Sequence, residues 1–250
     1  MKEETFNRWF NIFILAGMAV ALVVTTVFKL GGTDTGKTLL VISAFGSLMG
    51  ILSSVCSANG KIWTFIFGLL DVSIYGVMCF LNWRDGGPGL GNAILHMVYF
   101  VPMQFVGFWQ WNKRGTDTSN KVKARRLSGS RRLLFTVIFV AGSVLSYLII
   151  SRFDKSAATS FIKVAVVLDV LPLVCNILGQ LLMSMAYMEQ WIFWIGVNVF
   201  SIAMWSVSMK NGESSYAVIY VIKYCFYLVN SINGLRIWIR LSRPEPGLQI

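Results

Sequence analysis

The 250-residue chain is 56% hydrophobic and 13% charged, about half the charged share of an average soluble domain, which excludes a water-soluble globular protein. A net charge of +11 would suit nucleic acid, but the lysines and arginines fall between long apolar runs and not on a surface that folds in water, so a nucleic-acid partner is excluded too. Cys56, Cys79, Cys175 and Cys225 lie in or at the ends of apolar runs, without CxxC or metal-ligand spacing, and read as small hydrophobes.

Apolar runs of about 18 residues or more span roughly 30 Å of hydrocarbon as helices. Eight are predicted, at approximately 9–29, 38–57, 62–83, 90–112, 133–151, 163–186, 190–209 and 215–239. The first is too long for a signal-peptide core and lacks a small-residue cleavage site, so it is kept as a helix. In the third, Asp71 is the one deep carboxylate of the first half, with Tyr75 a turn further along. The glycine-rich run 86–91 that follows reads as an extracellular turn. The fourth carries His96, Tyr99, Pro102, Gln104, Gly107, Trp109 and Trp111; Pro102 removes a backbone hydrogen bond and frees a carbonyl, which is tolerated where polar groups or water satisfy it. His96 suits either a satisfied bundle residue or a proton relay.

Between the fourth and fifth spans stand Lys113, Arg114, Lys121, Lys123, Arg125, Arg126, Arg131 and Arg132. Basic connections stay in the cytoplasm, so this one sets the orientation and puts both termini inside. Fourteen of 22 positive residues are then cytoplasmic, seven are outside, and Lys223 lies within a span. The same cluster could also attract anionic lipid headgroups.

Polar groups inside a span are costly and normally face protein or water. The sixth span puts Asp169, Asn176 and Gln180 on one stripe, suited to interhelical hydrogen bonds or to a solute. The seventh puts Trp191, Trp194 and Asn198 on one face: Trp191 reads as an interface anchor, while Trp194, a turn deeper, offers a π face beside an amide, as a flat cationic heterocycle requires. Asn230 in the eighth joins the candidate set.

At a separation of 127, Gly107 and Trp111 fall on Gly234 and Trp238, Val72 on Val199, Phe67 on Trp194 and Asp71 on Asn198, though an offset one larger also pairs Trp63 with Trp191 and Gly68 with Gly196. The expected fold is an all-α integral membrane protein: an N-terminal helix (1–37), a three-helix repeat (38–112), the basic loop with a linking helix (113–162), a second repeat (163–239) and a cytoplasmic tail (240–250). An odd linking helix makes the repeats parallel, the arrangement of one transporter class with its solute site at the repeat interface. No HExxH, GxSxG, P-loop or paired-carboxylate motif points to an enzyme, and no cofactor or metal is predicted.

The pattern Tyr99-x-x-Pro102-Met103-Gln104-Phe105-x-Gly107 with Trp111, then Asp169, Gln180, Gln190-Trp191-x-x-Trp194-x-x-x-Asn198 and Gly234-x-x-x-Trp238, resembles the PnuC family of bacterial nicotinamide riboside transporters across roughly residues 45–239. The resemblance implies a SWEET-like fold, a homotrimer in the inner membrane, and facilitated diffusion of nicotinamide riboside. It also implies substrate contacts at Gln104, Trp191, Trp194 and Asn198, with Asp71, Tyr99, Asp169, Asn176, Gln180 and Asn230 completing the candidate set. Departures from the family pattern fall at Asp71 and His96, where Asn is common, and at Asn176, where Ser is usual. A carrier for sugars or other vitamins, a membrane-embedded lipid enzyme and a light- or ligand-sensing receptor are the rival readings.

Overall fold

The computed structural model describes residues 2–30, 37–84, 93–116, 120–153, 164–210 and 217–243. Among them are eight long helices: α1 (Lys2–Leu30), α2 (Lys37–Ala58), α3 (Trp63–Arg84), α4 (Val101–Arg114, entered through a π-helical turn at Leu95–Phe100), α5 (Gly129–Phe153), α6 (Val164–Ser184), α7 (Gln190–Lys210) and α8 (Ala217–Leu241). They follow the eight predicted spans in order. Within the described residues five are long and apolar enough to cross a membrane, and α7 adds a shorter apolar stretch, Gln190–Met204. The chain is a multi-pass, all-helical membrane protein. The glycine-rich run 86–91 and the side chain of Asp169 lie outside the described residues.

Three helix starts differ from hydropathy. α1 begins at Lys2, with Glu3 and Glu4 in the first turn, where carboxylates favour the positive end of the helix dipole. α5 begins at Gly129 and so takes in Arg131 and Arg132, whose charges are met by the Tyr187 hydroxyl at 2.8 Å and the Glu189 carboxylate at 3.1 Å. The fourth span is not one regular helix, because Pro102 has no N–H to give; ahead of it the Val101 amide reaches the His96 carbonyl in π geometry.

Two compact units are present: residues 1–123 with 184–186, and residues 124–183 with 187–250. In the first, α3 packs along α2 and against α4 with its π turn, and α1 lies on α2. In the second, α7 packs along α8. There α6 carries Val166, Val170, Val174 and Leu178 at four-residue spacing, one buried stripe against Phe135, Phe139, Tyr147 and Ile150 of α5 and Phe193 of α7.

One turn is built twice. Gly60 (φ 66°) ends α2 and Ala186 (φ 58°) ends α6, both left-handed. The next amide then reaches back five residues, Lys61 to the Cys56 carbonyl and Tyr187 to that of Leu182, each at 2.9 Å, the closing bond of a Schellman cap. Every member of these pairs stands 126 residues from its counterpart. In α4 and α8 the separation is 127: the Gly107 backbone takes the Phe65 ring and Gly234 takes Trp191, with Trp111 and Trp238 beyond. The sequence repeat therefore has a geometric basis, but its register in α3 and α7 is corrected. Asp71 matches Val197, not Asn198, and Trp194 matches Gly68, not Phe67.

The basic segment is folded rather than a bare loop. In the first unit Thr116 bridges Val122, and the Val122 amide bonds the Gly60 carbonyl at 2.9 Å. In the second, Met188 bonds the Arg125 carbonyl at 2.9 Å, and Arg126 donates to the Ile239 carbonyl and the Ser242 hydroxyl, filling acceptors at the end of α8.

Candidate solute-binding site

Gln104 of α4 is buried, 4% exposed. Its carboxamide rests on α3 at Gly68, where the oxygen lies 2.7 Å from the position a Cβ would take. That oxygen has no hydrogen-bond partner among the described residues. The neighbouring Ser53 hydroxyl is engaged, since it donates to the Thr64 carbonyl at 2.8 Å while the Thr64 hydroxyl donates to the Ser53 carbonyl at 3.0 Å. These two bonds lock α2 to the start of α3. One turn further along α2–α3, the Asp71 carboxylate occupies the space a side chain at Gly50 would need. Tyr75, a turn beyond Asp71, sets its ring 4.6 Å from His96 in the π turn, and His96 meets Phe100 edge-on at 4.9 Å. Tyr99, half-buried, lies 5.4 Å from the same Phe100 ring.

In the second unit Trp194 of α7 lays its indole over Gly179 of α6, 3.3 Å from where a Cβ would stand, next to buried Gln180. One turn further, the Asn198 amide donates to the Ser231 hydroxyl at 3.0 Å, with both groups buried, and Asn230 beside Ser231 is fully buried. Trp191 is not an interface anchor. It is 2% exposed and wedged onto Gly234, with Trp238 at 6.4 Å. A glycine at 234 leaves room for an indole between α7 and α8, as Gly107 does for the Phe65 ring, the counterpart of Trp191. Asn176 makes a helix-local bond: its amide donates to the Pro172 carbonyl of its own helix at 2.9 Å.

The structure thus joins Gln104 to Gly68 in the first unit, and in the second Trp194 to the α6 surface and Asn198 to α8. It assigns Trp191 and Asn176 to packing and helix-local bonds. Ser53, Gly68, Gly179 and Ser231 were not among the sequence's site candidates, being small residues whose part is to make space or complete a pair. Among the described buried polar residues only Glu189 is charged, and it serves the basic segment; the others are amides and hydroxyls.

The family model described as the nicotinamide mononucleotide transporter matches residues 40–240. The nicotinamide riboside transporter PnuC of Neisseria mucosa is 31% identical over 251 residues, covering 98% of this chain and 88% of that one. The chain is a member of the PnuC family. Its PnuC relative from Haemophilus influenzae is 28% identical, with 97% of this chain and 96% of that one covered. A solved structure titled as the vitamin B3 transporter PnuC is 30% identical, covers 94% of this chain and 91% of its own, and superposes with a TM-score of 0.69. The family match begins inside α2, so this PnuC protein carries its site candidates within the matched span while α1 stands outside it.

Proposed function

We propose that this PnuC-family protein moves nicotinamide riboside across the membrane by facilitated diffusion with alternating access. The observation that carries the choice of solute is the chemistry of the buried polar set. The family description names a mononucleotide and the relatives' names a riboside, two solutes that differ by a phosphate. Burying a phosphate dianion requires a paired cation, and among the described buried residues there is no lysine or arginine. Amides and hydroxyls suit a ribose and a carboxamide, and the indole of Trp194 suits a pyridinium ring, whose fixed positive charge is attracted to an aromatic face. Asp71, within the span, offsets the same charge.

The candidate substrate contacts in this reading are Gln104, Tyr99, Asp71, Gln180, Trp194, Asn198 and Asn230. Trp191 acts by packing on Gly234 and Trp238, and Asn176 through its helix-local bond to the Pro172 carbonyl; Asp169 is retained from the family pattern. α2–α4 and α6–α8 serve as the two repeats, with α5 linking them. The protein works as a homotrimer in the inner membrane with both termini cytoplasmic, and it performs no covalent chemistry. The test is binding of riboside to purified Trp194→Ala and Asn198→Ala, each expected to weaken affinity about tenfold or more, as loss of an aromatic or hydrogen-bonding contact does. Wild-type affinity in both would remove this site.

A further inference from the structure

Gly68 and Trp194 occupy the same position in the two copies of the repeated helix pair, each 126 residues from the other, as do Ser53 and Gly179. Where α7 projects an indole onto a glycine of α6, α3 has a glycine facing a serine of α2. The space left at Gly68 is taken by the Gln104 carboxamide, with its oxygen 2.7 Å and its carbon 3.3 Å from the position of a Cβ. The Ser53 hydroxyl, 3.0 Å from that position, is tied to Thr64 and closes the other side. A real Cβ does not approach a neighbour this closely, so a methyl at 68 requires the amide to shift.

We propose that Gly68 is a positioning and specificity-determining residue. By carrying no side chain it seats the Gln104 carboxamide against α3, and the exchange of Gly68 for Trp194 gives one unit an amide where the other has an aromatic face. Two observations support this independently of the repeat. Gln104 is more than nine-tenths buried, and its oxygen lacks a partner among the described residues, so the amide is held against α3 by shape. The Ser53–Thr64 bonds fix the wall on the other side, so the space cannot relax by moving Ser53. This deepens the riboside reading and rests on Gln104 being a substrate contact.

The test is a double-mutant cycle on the full-length protein in detergent, with Gly68→Ala, Gln104→Ala and the double variant. Melting without ligand reads the contact. Alanine is favoured over glycine in a helix, yet Gly68→Ala should lower the Tm in the wild-type background and raise or preserve it beside Gln104→Ala. Gly142→Ala, whose nearest neighbour would be Val174 at 3.6 Å, is the control and should not lower the Tm. Riboside affinity reads the function. Gly68→Ala should lose about as much as Gln104→Ala, roughly tenfold for one hydrogen bond, and the double variant should lose no more.

Additive melting shifts would overturn the contact, and wild-type affinity in Gly68→Ala would overturn the positioning role. If Gly68→Ala does not fold, folding of the double variant supports the proposal and its failure contradicts it. Absence of riboside binding to the wild type would instead defeat the functional reading, while the ligand-free melting cycle still decides whether Gly68 seats Gln104.

Discussion

Removing the Glu189 carboxylate separates two contributions that the structure places on one group. The side chain is buried, and both oxygens accept the Leu127 amide, at 3.1 and 3.2 Å, within the second unit. Arg132 also reaches it, at 3.1 Å, but the arginine side chain is 54% exposed. An ion pair with one partner in solvent is worth about 0–1 kcal/mol. Leaving a buried backbone N–H without its acceptor costs about 1–3 kcal/mol. Glu189→Ala should therefore destabilise the protein by about 2–3 kcal/mol, Arg132→Ala by under about 1 kcal/mol, and Glu189→Gln, which keeps an acceptor for Leu127, should lie between. Thermal unfolding of the three variants in detergent ranks them. An Arg132→Ala loss equal to or greater than that of Glu189→Ala would refute the reasoning, because the ion pair and not the backbone bond would then hold the basic segment.

Gly107→Ala drives a methyl into the Phe65 ring, itself backed by fully buried Trp111; overpacking against rigid rings should cost about 1–3 kcal/mol or more, read as a fall in Tm. Gly115→Ala meets nothing within 4 Å, but its φ of 74° and ψ of 178° belong almost only to glycine, so a loss of about 1–3 kcal/mol should come from the backbone alone. An unchanged Tm there would show that the chain reverses at 115 in some other way. Asn198→Ala removes the donor to buried Ser231 and should lower stability by about 1 kcal/mol while weakening riboside binding; adding Ser231→Ala should return part of the stability without restoring affinity.

Most of the helical plan was legible because hydropathy acts residue by residue along a span, and eight apolar runs became eight helices. The helix starts were less so: residues 2–8, apart from Phe6, and Arg131–Arg132 are polar, and their helical state depends on a dipole and on Tyr187 and Glu189, which hydropathy does not register. Pro102 signalled a disturbed fourth span, but not that a π turn would absorb it. The repeat was visible through Gly107/Gly234 and Trp111/Trp238, where rings need glycine. Its register in α3 and α7 stayed open between offsets of 127 and 128, whereas the left-handed residues at 60 and 186, one of them alanine and so silent in sequence, stand 126 apart. The fold of the basic segment rests on backbone bonds to Gly60 and Arg125, which leave no mark on side-chain identity. Trp194 and Asn198 could be read from their shared helix face, whereas Trp191 could not be told from an interface tryptophan until Gly234 was seen beneath it.

Flux through the purified protein in sealed proteoliposomes tests the central claim most directly, with labelled nicotinamide riboside inside and unlabelled riboside or mononucleotide outside, and no ion gradient imposed. Facilitated riboside transport gives rapid exchange driven by riboside, little by mononucleotide, and equilibration without accumulation. Exchange driven as well by mononucleotide, or no riboside exchange at all, would contradict it.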